Sequence, residues 1–289
     1  MTTARIAVLI TCFNRRELTL RCLRALARQP EFRDADLFLV DDGSTDGTGD
    51  AVRAMLPEAH VIPGDGNLFW NGGMRLAWHT AHASGTRFDF ILWLNDDVEL
   101  AADTLAMLVA DADTVVPRGG PVIVAAATAD PVTAEINYGA HRRSNARRPL
   151  RLGLIQPVGK PVAADTISGN IVLISAAAEA LLGNLSPVFR HIYGDLDYGF
   201  RARQAGVPVV LASRAGGTCA GNSVAGTSLD AALPRRTRLA LRLREDRRIH
   251  AADWRGFVRA HSGRGLMVVA YTLAPYLRIL FNRPHRGGV

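Results

Sequence analysis

Two pairs of adjacent aspartates could bind a cation or a polar ligand. Asp41 and Asp42 form the first pair, and Asp96 and Asp97 follow Asn95 in the second. Carboxylate oxygens are preferred ligands of Mg²⁺ and Mn²⁺, which complete their coordination with phosphate oxygens and water. We therefore expect Asp96 and Asp97 to hold a divalent metal beside a diphosphate. Asp41 or Asp42 is expected to accept hydrogen bonds from a pyrimidine base or a ribose. Each pair also has a plainer interpretation, as part of a turn or as the cap of a following helix.

The apolar runs before these residues indicate a shared site. Continuous apolar runs are typical of strands that are covered on both faces. Because the carboxyl ends of parallel strands lie at one edge of a sheet, ligands bind at that edge. Polar clusters at residues 11–14, 41–44 and 95–97 follow the predicted strands at 6–11, 37–40 and 88–94.

The rest of the first 212 residues alternates helix-like and strand-like segments. This rhythm predicts an α/β fold with a mostly parallel sheet and helices on both faces. Asn14 is expected to cap the first helix, with Glu17 three residues later, and Gly206 to end the last. The Arg-rich segment 138–151 is expected to be an exposed loop, either a solvated surface or a contact to substrate phosphates. The other predicted helices lie at 52–56, 73–84, 105–109 and 195–204, and the other predicted strands at 60–63, 122–127, 167–175 and 207–212.

Two common nucleotide-binding loops are missing from the sequence. Neither Gly-x-x-x-x-Gly-Lys-[Ser/Thr] nor Gly-x-Gly-x-x-Gly follows the first strand, which removes the main support for P-loop and dinucleotide-binding proteins. Residues 5–225 instead resemble the family 2 glycosyltransferases, and within them the rhamnosyltransferase- and galactofuranosyltransferase-like branch. The resemblance depends on the order and spacing of the segments 11–15, 40–46, 67–74, 94–97 and 193–201.

This resemblance implies an inverting enzyme with the GT-A fold, whose mostly parallel, Rossmann-like sheet is flanked by helices. A carboxylate would remove the proton from an acceptor hydroxyl while that oxygen displaces the diphosphate of a nucleoside-diphosphate sugar. Aligned back from Arg201, Asp195 takes the place of this base, and Gly194 stands where the family carries a glutamate. Asp197 is the second candidate, although its spacing from Arg201 also fits an i,i+4 ion pair.

The same resemblance implies the ligands. The donor is expected to be a UDP- or dTDP-linked sugar, the acceptor a glycan or lipid-linked glycan, and the cofactor Mg²⁺ or Mn²⁺. Asp96 and Asp97 are the expected metal ligands. Cys219 stands where relatives often have a metal-binding histidine, so it is either a buried thiol or a change in the metal site. The residues expected at the donor are Thr11, Asn14, Arg15, Asp41, Asp42, Asn67, Trp70, Asn71, Gly73, Asn95 and Asp96.

Other aromatic and small residues near these motifs have less specific interpretations. Trp70, in the glycine-rich loop 67–74, is expected to line the sugar or acceptor pocket, whereas Trp78 is expected in the core. His79 and His82 are expected at the surface. Residues 168–170 either approach the donor sugar, as the resemblance implies, or form an ordinary tight turn.

Charge is distributed unevenly along the chain. The net charge is +7, but residues 231–289 alone contain 13 arginines, no lysine and three acidic residues. The preceding segment is net acidic, which argues against a nucleic-acid-binding body. We therefore place a boundary between a catalytic domain, 1–233, and a basic helical extension, 234–289.

The extension is expected to bind the cytoplasmic face of an anionic membrane without crossing it. The alternative is that its helices pack on the catalytic domain or on a second subunit. The expected membrane contacts are Leu239, Leu241, Leu243, Trp254, Phe257, Val258, Tyr271, Tyr276, the segment 266–281, and arginines 235, 236, 238, 242, 244, 247 and 248.

Cysteine usage and length complete the expectations. Cys12, Cys22 and Cys219 lack the spacing of a zinc or redox motif, so we expect reduced thiols in a cytoplasmic protein. A chain of 289 residues can form one large domain with an appendage. Two other function classes stay open. A sugar nucleotidyltransferase would carry a Gly-rich basic loop after the first strand, which is missing. A catalytically inactive carbohydrate-binding relative would be excluded by an activity assay.

Overall fold

The computed structural model describes residues 4–145, 148–221, 223–243 and 251–281, where strands and helices alternate. The strands are β1 Ile6–Cys12, β2 Leu37–Asp41, β3 His60–Pro63, β4 Phe90–Leu94, β5 Glu99–Leu100, β6 Ile123–Ala129, β7 Ile136–Tyr138, β8 Ala140–Arg143, β9 Leu152–Leu154, β10 Val162–Ala163, β11 Thr166–Ile167, β12 Ile171–Ser175 and β13 Val209–Thr218. The helices are α1 Arg16–Leu26, α2 Thr48–Met55, α3 Phe69–Ala83, α4 Thr104–Val115, α5 Ala176–Leu182, α6 Gly194–Gln204, α7 Arg235–Leu243, α8 Ala251–His261 and α9 Leu266–Leu280.

The main sheet is largely parallel, as predicted. Its order is β10-β13-β6-β12-β4-β1-β2-β3. Strands β4, β1, β2 and β3 run parallel to one another and β13 runs parallel to β6, whereas β12 is antiparallel to both of its neighbours. Because β4, β1 and β2 are adjacent and parallel, the loops after Leu94, Cys12 and Asp41 leave the same edge of the sheet.

Helices cover both faces of this sheet. In β1, Val8 and Ile10 join a core cluster with α1, α2 and α4, while Ala7 and Leu9 join a second cluster with α3 and α6. Burial on both sides explains why positions 6–10 of this strand are all apolar. Trp78 is fully buried in the second cluster, which confirms its predicted place in the core.

The prediction that Asn14 caps the first helix is wrong. Helix α1 begins at Arg16 with Arg15 at the N-cap position, and the backbone N–H of Arg16 donates a 3.0 Å hydrogen bond to Asp46 Oδ2. Asn14 instead has a positive φ of 51°, a conformation in which asparagine is enriched among the non-glycine residues. Its side-chain oxygen accepts a hydrogen bond of 2.7 Å from the backbone N–H of Thr45. Asn14 therefore ties the loop after β1 to the loop after β2.

Three predicted segments near the candidate site differ from the structure in ways that affect its geometry. Residues 138–151 are not simply an exposed loop, because β8 lies within them and pairs with β9 and β11 in a separate three-stranded sheet. The predicted strand 167–175 is divided into β11 and β12 by a turn at 168–170. Helix α3 begins at Phe69, so Trp70 and Asn71 lie in its first turn rather than in a loop. Each difference depends on pairing or packing with residues distant in sequence.

Helix α8 packs on α6 and on the segment that precedes α6. Trp254, Phe257 and Val258 are buried in a third core cluster with Phe189 and Tyr193. The rings of Phe257 and Tyr193 stack with their centroids 4.9 Å apart. The prediction that these three residues of α8 face a membrane is therefore wrong.

Two arginines of the extension that were predicted to contact a membrane are buried in the protein instead. Arg238 and Arg242 are buried, and Arg238 Nε donates a 3.1 Å hydrogen bond to the carbonyl oxygen of Ser228. The predicted membrane contacts Arg244, Arg247 and Arg248 lie outside the described residues. Within the described ranges, no helix has the length and apolar character needed to cross a membrane.

Candidate active site

Arg15 bridges the second aspartate pair at the edge of the sheet. Asp96 and Asp97 follow β4, and Arg15 follows the adjacent strand β1. Its Nη1 lies 3.1 Å from Asp96 Oδ1 and 2.9 Å from Asp97 Oδ2. Asp96 is 6% exposed, and its Oδ2 is buried without a hydrogen-bond partner among the described residues. The pair is thus a buried acidic site that already attracts one cationic group.

The electrostatics of Asp96 fit a divalent cation. Burial raises the pKa of Asp96 to about 7; Arg15 opposes this shift and the charge of Asp97 adds to it. A bound cation would keep such a carboxylate ionised. No cluster of three or more His, Cys, Asp or Glu side chains suited to a metal occurs in the described residues. Two carboxylates nevertheless suffice for Mg²⁺ when substrate phosphates and water complete its coordination.

Cys219 lies beside the aspartate pair as a buried free thiol, which was one of its two predicted meanings. Its Sγ donates to Asp97 Oδ1 over 3.4 Å, and Asn170 Nδ2 donates to the sulfur over 3.7 Å. Burial raises the pKa of the Cys219 thiol to about 12. The thiol is therefore protonated at neutral pH and acts here as a hydrogen-bond donor to Asp97.

Asp195 and Trp70 meet at Gly169. The backbone N–H of Gly169 donates to Asp195 Oδ2 over 2.8 Å. A Cβ atom at Gly169 would lie 2.5 Å from Cζ2 of Trp70, so only glycine fits against this ring. Trp70 Nε1 in turn donates to Asn95 Oδ1 over 2.7 Å. A continuous chain of contacts thus joins Asp195 on α6 to the aspartate pair after β4.

The surroundings of Asp195 suit a proton acceptor. It lies in the first turn of α6, and its Oδ1 accepts a 2.8 Å hydrogen bond from the backbone N–H of Leu196. Burial raises the pKa of Asp195, and the N–H donors of Gly169 and Leu196 oppose the shift. A carboxylate whose pKa moves toward neutrality is a better general base near pH 7.

Asp197 is held in a structural network instead. Arg201 Nε donates to its Oδ2 over 2.9 Å, which confirms the predicted i,i+4 ion pair. His261 Nε2 of α8 lies 2.8 Å from its Oδ1, and both side chains are buried. Asp197 therefore joins α6 to the extension.

Position 194 has no room for a side chain, which explains why glycine stands there instead of the expected glutamate. A Cβ atom at Gly194 would lie 2.1 Å from Oδ1 of Asn71, which occupies the space beside it. Asn71 is 1% exposed, and its Nδ2 donates to the carbonyl oxygens of Ser186 and Phe189 over 2.9 and 2.7 Å. Asn71 thus fixes the segment that leads into α6.

Other residues predicted at the donor form the framework of the site. Asp42 is 4% exposed, and its carboxylate accepts hydrogen bonds of 2.9 Å from the N–H groups of Gly66 and Phe69. A Cβ atom at Gly73 would lie 2.2 Å from Thr11 Oγ1, so this glycine lets α3 pack on β1. These residues shape the loop 64–69 and the floor of the site.

The more accessible donor candidates border this framework. Asn14 and Asn67 are exposed, while Thr11 and Asp41 are partly exposed. Asp41 Oδ1 accepts a 3.0 Å hydrogen bond from the backbone N–H of Ser44, three residues further along the chain. The site therefore has one end at residues 14, 41 and 67 and another at Asp195.

His141 belongs to the site although its sequence context gave no signal. Its Nε2 lies 2.8 Å from Ser168 Oγ, in the turn that contacts Asp195. Burial lowers the pKa of His141 to about 4, so the ring is neutral at pH 7. A single histidine within an Arg-rich segment could not be distinguished from a surface residue. His79 and His82 are exposed, as predicted, and His82 pairs with Glu179.

Gly169→Ala is expected to lower the free energy of unfolding by about 1–3 kcal/mol, because the added methyl group must displace the Trp70 ring. Chemical denaturation followed by circular dichroism measures the change. Gly221→Ala is the matched control, because a Cβ atom there meets nothing within 4 Å. Equal stability of both variants would contradict the close contact between Gly169 and Trp70.

The fold and this edge of the sheet define a GT-A protein, and the family assignment agrees. The family model described as glycosyl transferase family 2 matches residues 7–171. Because this match covers more than half of the chain, the protein belongs to glycosyl transferase family 2. A search of curated proteins finds no match.

Several solved structures share the fold at low sequence identity. A GalNAc-T7 structure with UDP, GalNAc and Mn²⁺ has a TM-score of 0.56 and 14% identity, over 73% of this chain and 43% of that one. TarS 1–349 of S. aureus has a TM-score of 0.55 and 14% identity, over 96% and 72%. The mannosyltransferase PcManGT of Pyrobaculum calidifontis, with GDP-Man and Mn²⁺, has a TM-score of 0.53 and 16% identity, over 100% and 77%. The chain thus spans less than half of the GalNAc-T7 chain and about three quarters of the other two.

Proposed function

We propose that this protein transfers a sugar from a nucleoside-diphosphate sugar to an acceptor hydroxyl, with inversion at the anomeric carbon. The observation that carries the proposal is the contact chain from Asp97 and Asp96 through Asn95, Trp70 and Gly169 to Asp195. It brings the aspartate pair and the Asp195 carboxylate to one edge of the sheet, where they would serve as a cation site and as a base. Membership of glycosyl transferase family 2 supports the same reaction.

A divalent metal is part of this proposal. Asp96 and Asp97 would hold Mg²⁺ or Mn²⁺, which would neutralise the charge that develops on the departing diphosphate. The unpartnered Asp96 Oδ2 supports this role, since a buried carboxylate oxygen needs a partner. The structures of GalNAc-T7 and PcManGT with Mn²⁺ support it as well.

Asp195 is the proposed general base. Its carboxylate keeps its geometry through two backbone N–H donors and lies beside Trp70. An acceptor hydroxyl bound between Asp195 and the donor sugar would lose its proton to this carboxylate as the new glycosidic bond forms. The indole ring of Trp70 would form one wall for the sugar or the acceptor.

Arg15 is proposed to pair with the aspartates when no metal is bound and with the diphosphate of the donor when metal and donor are bound. Its guanidinium pairs with Asp96 Oδ1 and Asp97 Oδ2 in the structure. A divalent cation at the same carboxylates would repel it, and the diphosphate of the donor is the nearest anionic group that would then accept its hydrogen bonds.

Arg15→Gln is therefore expected to weaken donor binding by about tenfold or more, because a hydrogen bond between charged groups is lost. In the absence of donor, the same variant is expected to bind Mn²⁺ more tightly, because a competing cation is removed. Calorimetric titrations of Mn²⁺ alone, and of UDP in excess Mn²⁺, measure the two effects. Arg24→Gln, at the far end of α1, is the control. Unchanged values in both titrations would exclude this role for Arg15.

The acceptor and the cellular role are proposed at the level of class. The likeness of residues 67–74 to the rhamnosyl- and galactofuranosyltransferase-like branch supports a UDP- or dTDP-linked donor. It also supports a glycan or lipid-linked glycan acceptor in bacterial cell-surface polysaccharide synthesis, at the cytoplasmic face of the membrane. We further propose that residues 1–233 form the catalytic domain and 234–289 an extension, whose helix α8 supports the segment before α6.

A thermal-shift panel tests the proposed donor and metal together. UDP, dTDP and GDP, each with Mn²⁺ or with EDTA, are the probes, because a ligand that binds only the native state raises its melting temperature. UDP or dTDP is expected to stabilise the protein in Mn²⁺ and to lose most of this effect in EDTA. No stabilisation by any of the three diphosphates would contradict the proposal.

A further inference from the structure

Helix α9 leaves an apolar face uncovered. Five residues at intervals of three or four share this face, and each is 46–87% exposed: Leu266, Val269, Leu273, Leu277 and Leu280. We call them the α9 stripe. Isolated exposed leucines are common, but a continuous apolar face on one helix is typical of an interaction surface.

The opposite face of α9 is anchored to the protein. Val268 and Tyr271 pack against the third core cluster, and Ile279 is buried. The indole Nε1 of Trp254 donates a 3.1 Å hydrogen bond to the carbonyl oxygen of Tyr271. The α9 stripe is therefore held in a fixed orientation rather than on a loose segment.

In the described part of the extension, the exposed charge is of one sign. Among its described residues, 234–243 and 251–281, every exposed charged side chain is an arginine; these are Arg235, Arg236, Arg255, Arg259, Arg264 and Arg278. The acidic residue in these ranges, Asp253, is 1% exposed, and its carboxylate accepts hydrogen bonds from the backbone N–H groups of Arg190 and His191. Within these described ranges, an apolar face thus occurs together with exposed charge that is cationic.

We propose that the α9 stripe docks on a membrane surface that contains anionic lipid, with the helix lying in the interface. Apolar side chains would enter the boundary between headgroups and acyl chains, and nearby arginines would meet anionic headgroups. A helix of 15 residues is about 22 Å long, shorter than the roughly 30 Å hydrocarbon core, so it lies along the surface. Tyr276, which is partly exposed on the same helix, is a residue type enriched at such interfaces.

Charge decides between a membrane and a second copy of the chain. In a two-fold dimer the same patch meets itself, so the arginines of one extension would approach those of the other. Like charges that face each other across an interface oppose association. An anionic lipid surface complements both the apolar α9 stripe and the exposed arginines. This docking proposal does not depend on the proposed reaction.

The first test removes the apolar contact. The full chain is mixed with vesicles of phosphatidylcholine alone or of phosphatidylcholine with phosphatidylglycerol, and bound protein is measured by flotation. Wild-type protein is expected to float with the anionic vesicles, and Leu273→Glu to lower its affinity by more than about tenfold. Leu181→Glu, at an exposed leucine of helix α5 in the catalytic domain, is the matched control and is expected to bind like wild type.

The second test removes the cationic contact. The double variant Arg264→Gln/Arg278→Gln is expected to weaken binding to anionic vesicles by about fivefold for each arginine near the surface. Arg24→Gln/Arg28→Gln, two exposed arginines of the catalytic domain, is the matched control. UDP binding in Mn²⁺, measured without vesicles, is expected to be unchanged in all four variants, which separates this proposal from the donor site.

Three results would overturn the proposal. One is a wild-type protein that stays unbound at low salt at every phosphatidylglycerol content. Another is equal flotation of wild type and Leu273→Glu. The third is a wild-type dimer in sedimentation velocity that Leu273→Glu converts to a monomer, without vesicle binding by either, which would assign the α9 stripe to a second copy of the chain.

Discussion

Asp195→Asn is expected to lower turnover by a factor on the order of 10² to 10⁴ while donor affinity stays close to that of wild type. The amide keeps the shape of the carboxylate but cannot accept the proton of the acceptor hydroxyl. Release of nucleoside diphosphate measures turnover, and calorimetry with UDP and Mn²⁺ measures donor affinity. Asp113→Asn is the control, because Asp113 is an exposed residue of α4.

The pH dependence of turnover extends this test. Since burial raises the pKa of Asp195, the wild-type rate is expected to fall, as the pH is lowered, at a higher pH than an ordinary aspartate would give. Asp195→Asn should lose this acidic limb. Near-normal turnover in Asp195→Asn, together with loss of turnover in a folded Asp197→Asn variant, would transfer the role of base to Asp197.

Asp97→Ala is expected to abolish the part of donor affinity that depends on Mn²⁺. The substitution removes one of the two carboxylates at the cation site and leaves Arg15 paired with Asp96 alone. Titration of UDP in Mn²⁺ and in EDTA should then give similar, weak affinities, whereas wild type should bind at least about tenfold more tightly in Mn²⁺.

Asp113→Ala is the matched control for this variant and should retain the Mn²⁺ effect. Circular dichroism checks that Asp97→Ala is folded, since Asp97 lies at the edge of the sheet and not within its core. Full Mn²⁺-dependent affinity in the folded variant would exclude Asp97 as a metal ligand.

The sheet, and the edge at which the candidate site residues meet, could be predicted because their signals are local. The apolar runs of β1, β2 and β4 are continuous, and each is followed at once by polar residues. Parallel pairing of adjacent strands then places those residues together. The ion pair of Asp197 with Arg201 could also be predicted, because it depends only on helical spacing.

Contacts between distant segments explain what the sequence did not reveal. Asparagine is a residue type that often caps helices, but the hydrogen-bond partner of Asn14 is Thr45, which lies on another loop. Gly169 separates two strands within a buried segment because it must fit between Trp70 and Asp195. His141 joins the site through Ser168, and no local pattern indicates that pairing.

In the helices of the extension, too, the sequence pattern did not reveal which surfaces are in contact. The spacing of Trp254, Phe257 and Val258 correctly indicated an apolar stripe, but spacing does not identify what covers it. In the structure that stripe packs against Phe189, Tyr193 and Phe200, while the α9 stripe remains exposed. The arginine content was likewise ambiguous as evidence for membrane binding, because Arg238 and Arg242 are buried within the protein.

The configuration of the reaction product tests the central proposal most directly. The donor whose diphosphate gives the largest thermal shift is incubated with Mg²⁺ and a panel of glycan acceptors, and proton NMR follows the anomeric signal during transfer. We expect a glycosidic product whose anomeric configuration is opposite to that of the donor, formed together with free nucleoside diphosphate and lost in Asp195→Asn. A product that retains the configuration of the donor, or one that Asp195→Asn forms at the wild-type rate, would contradict the single displacement proposed for Asp195.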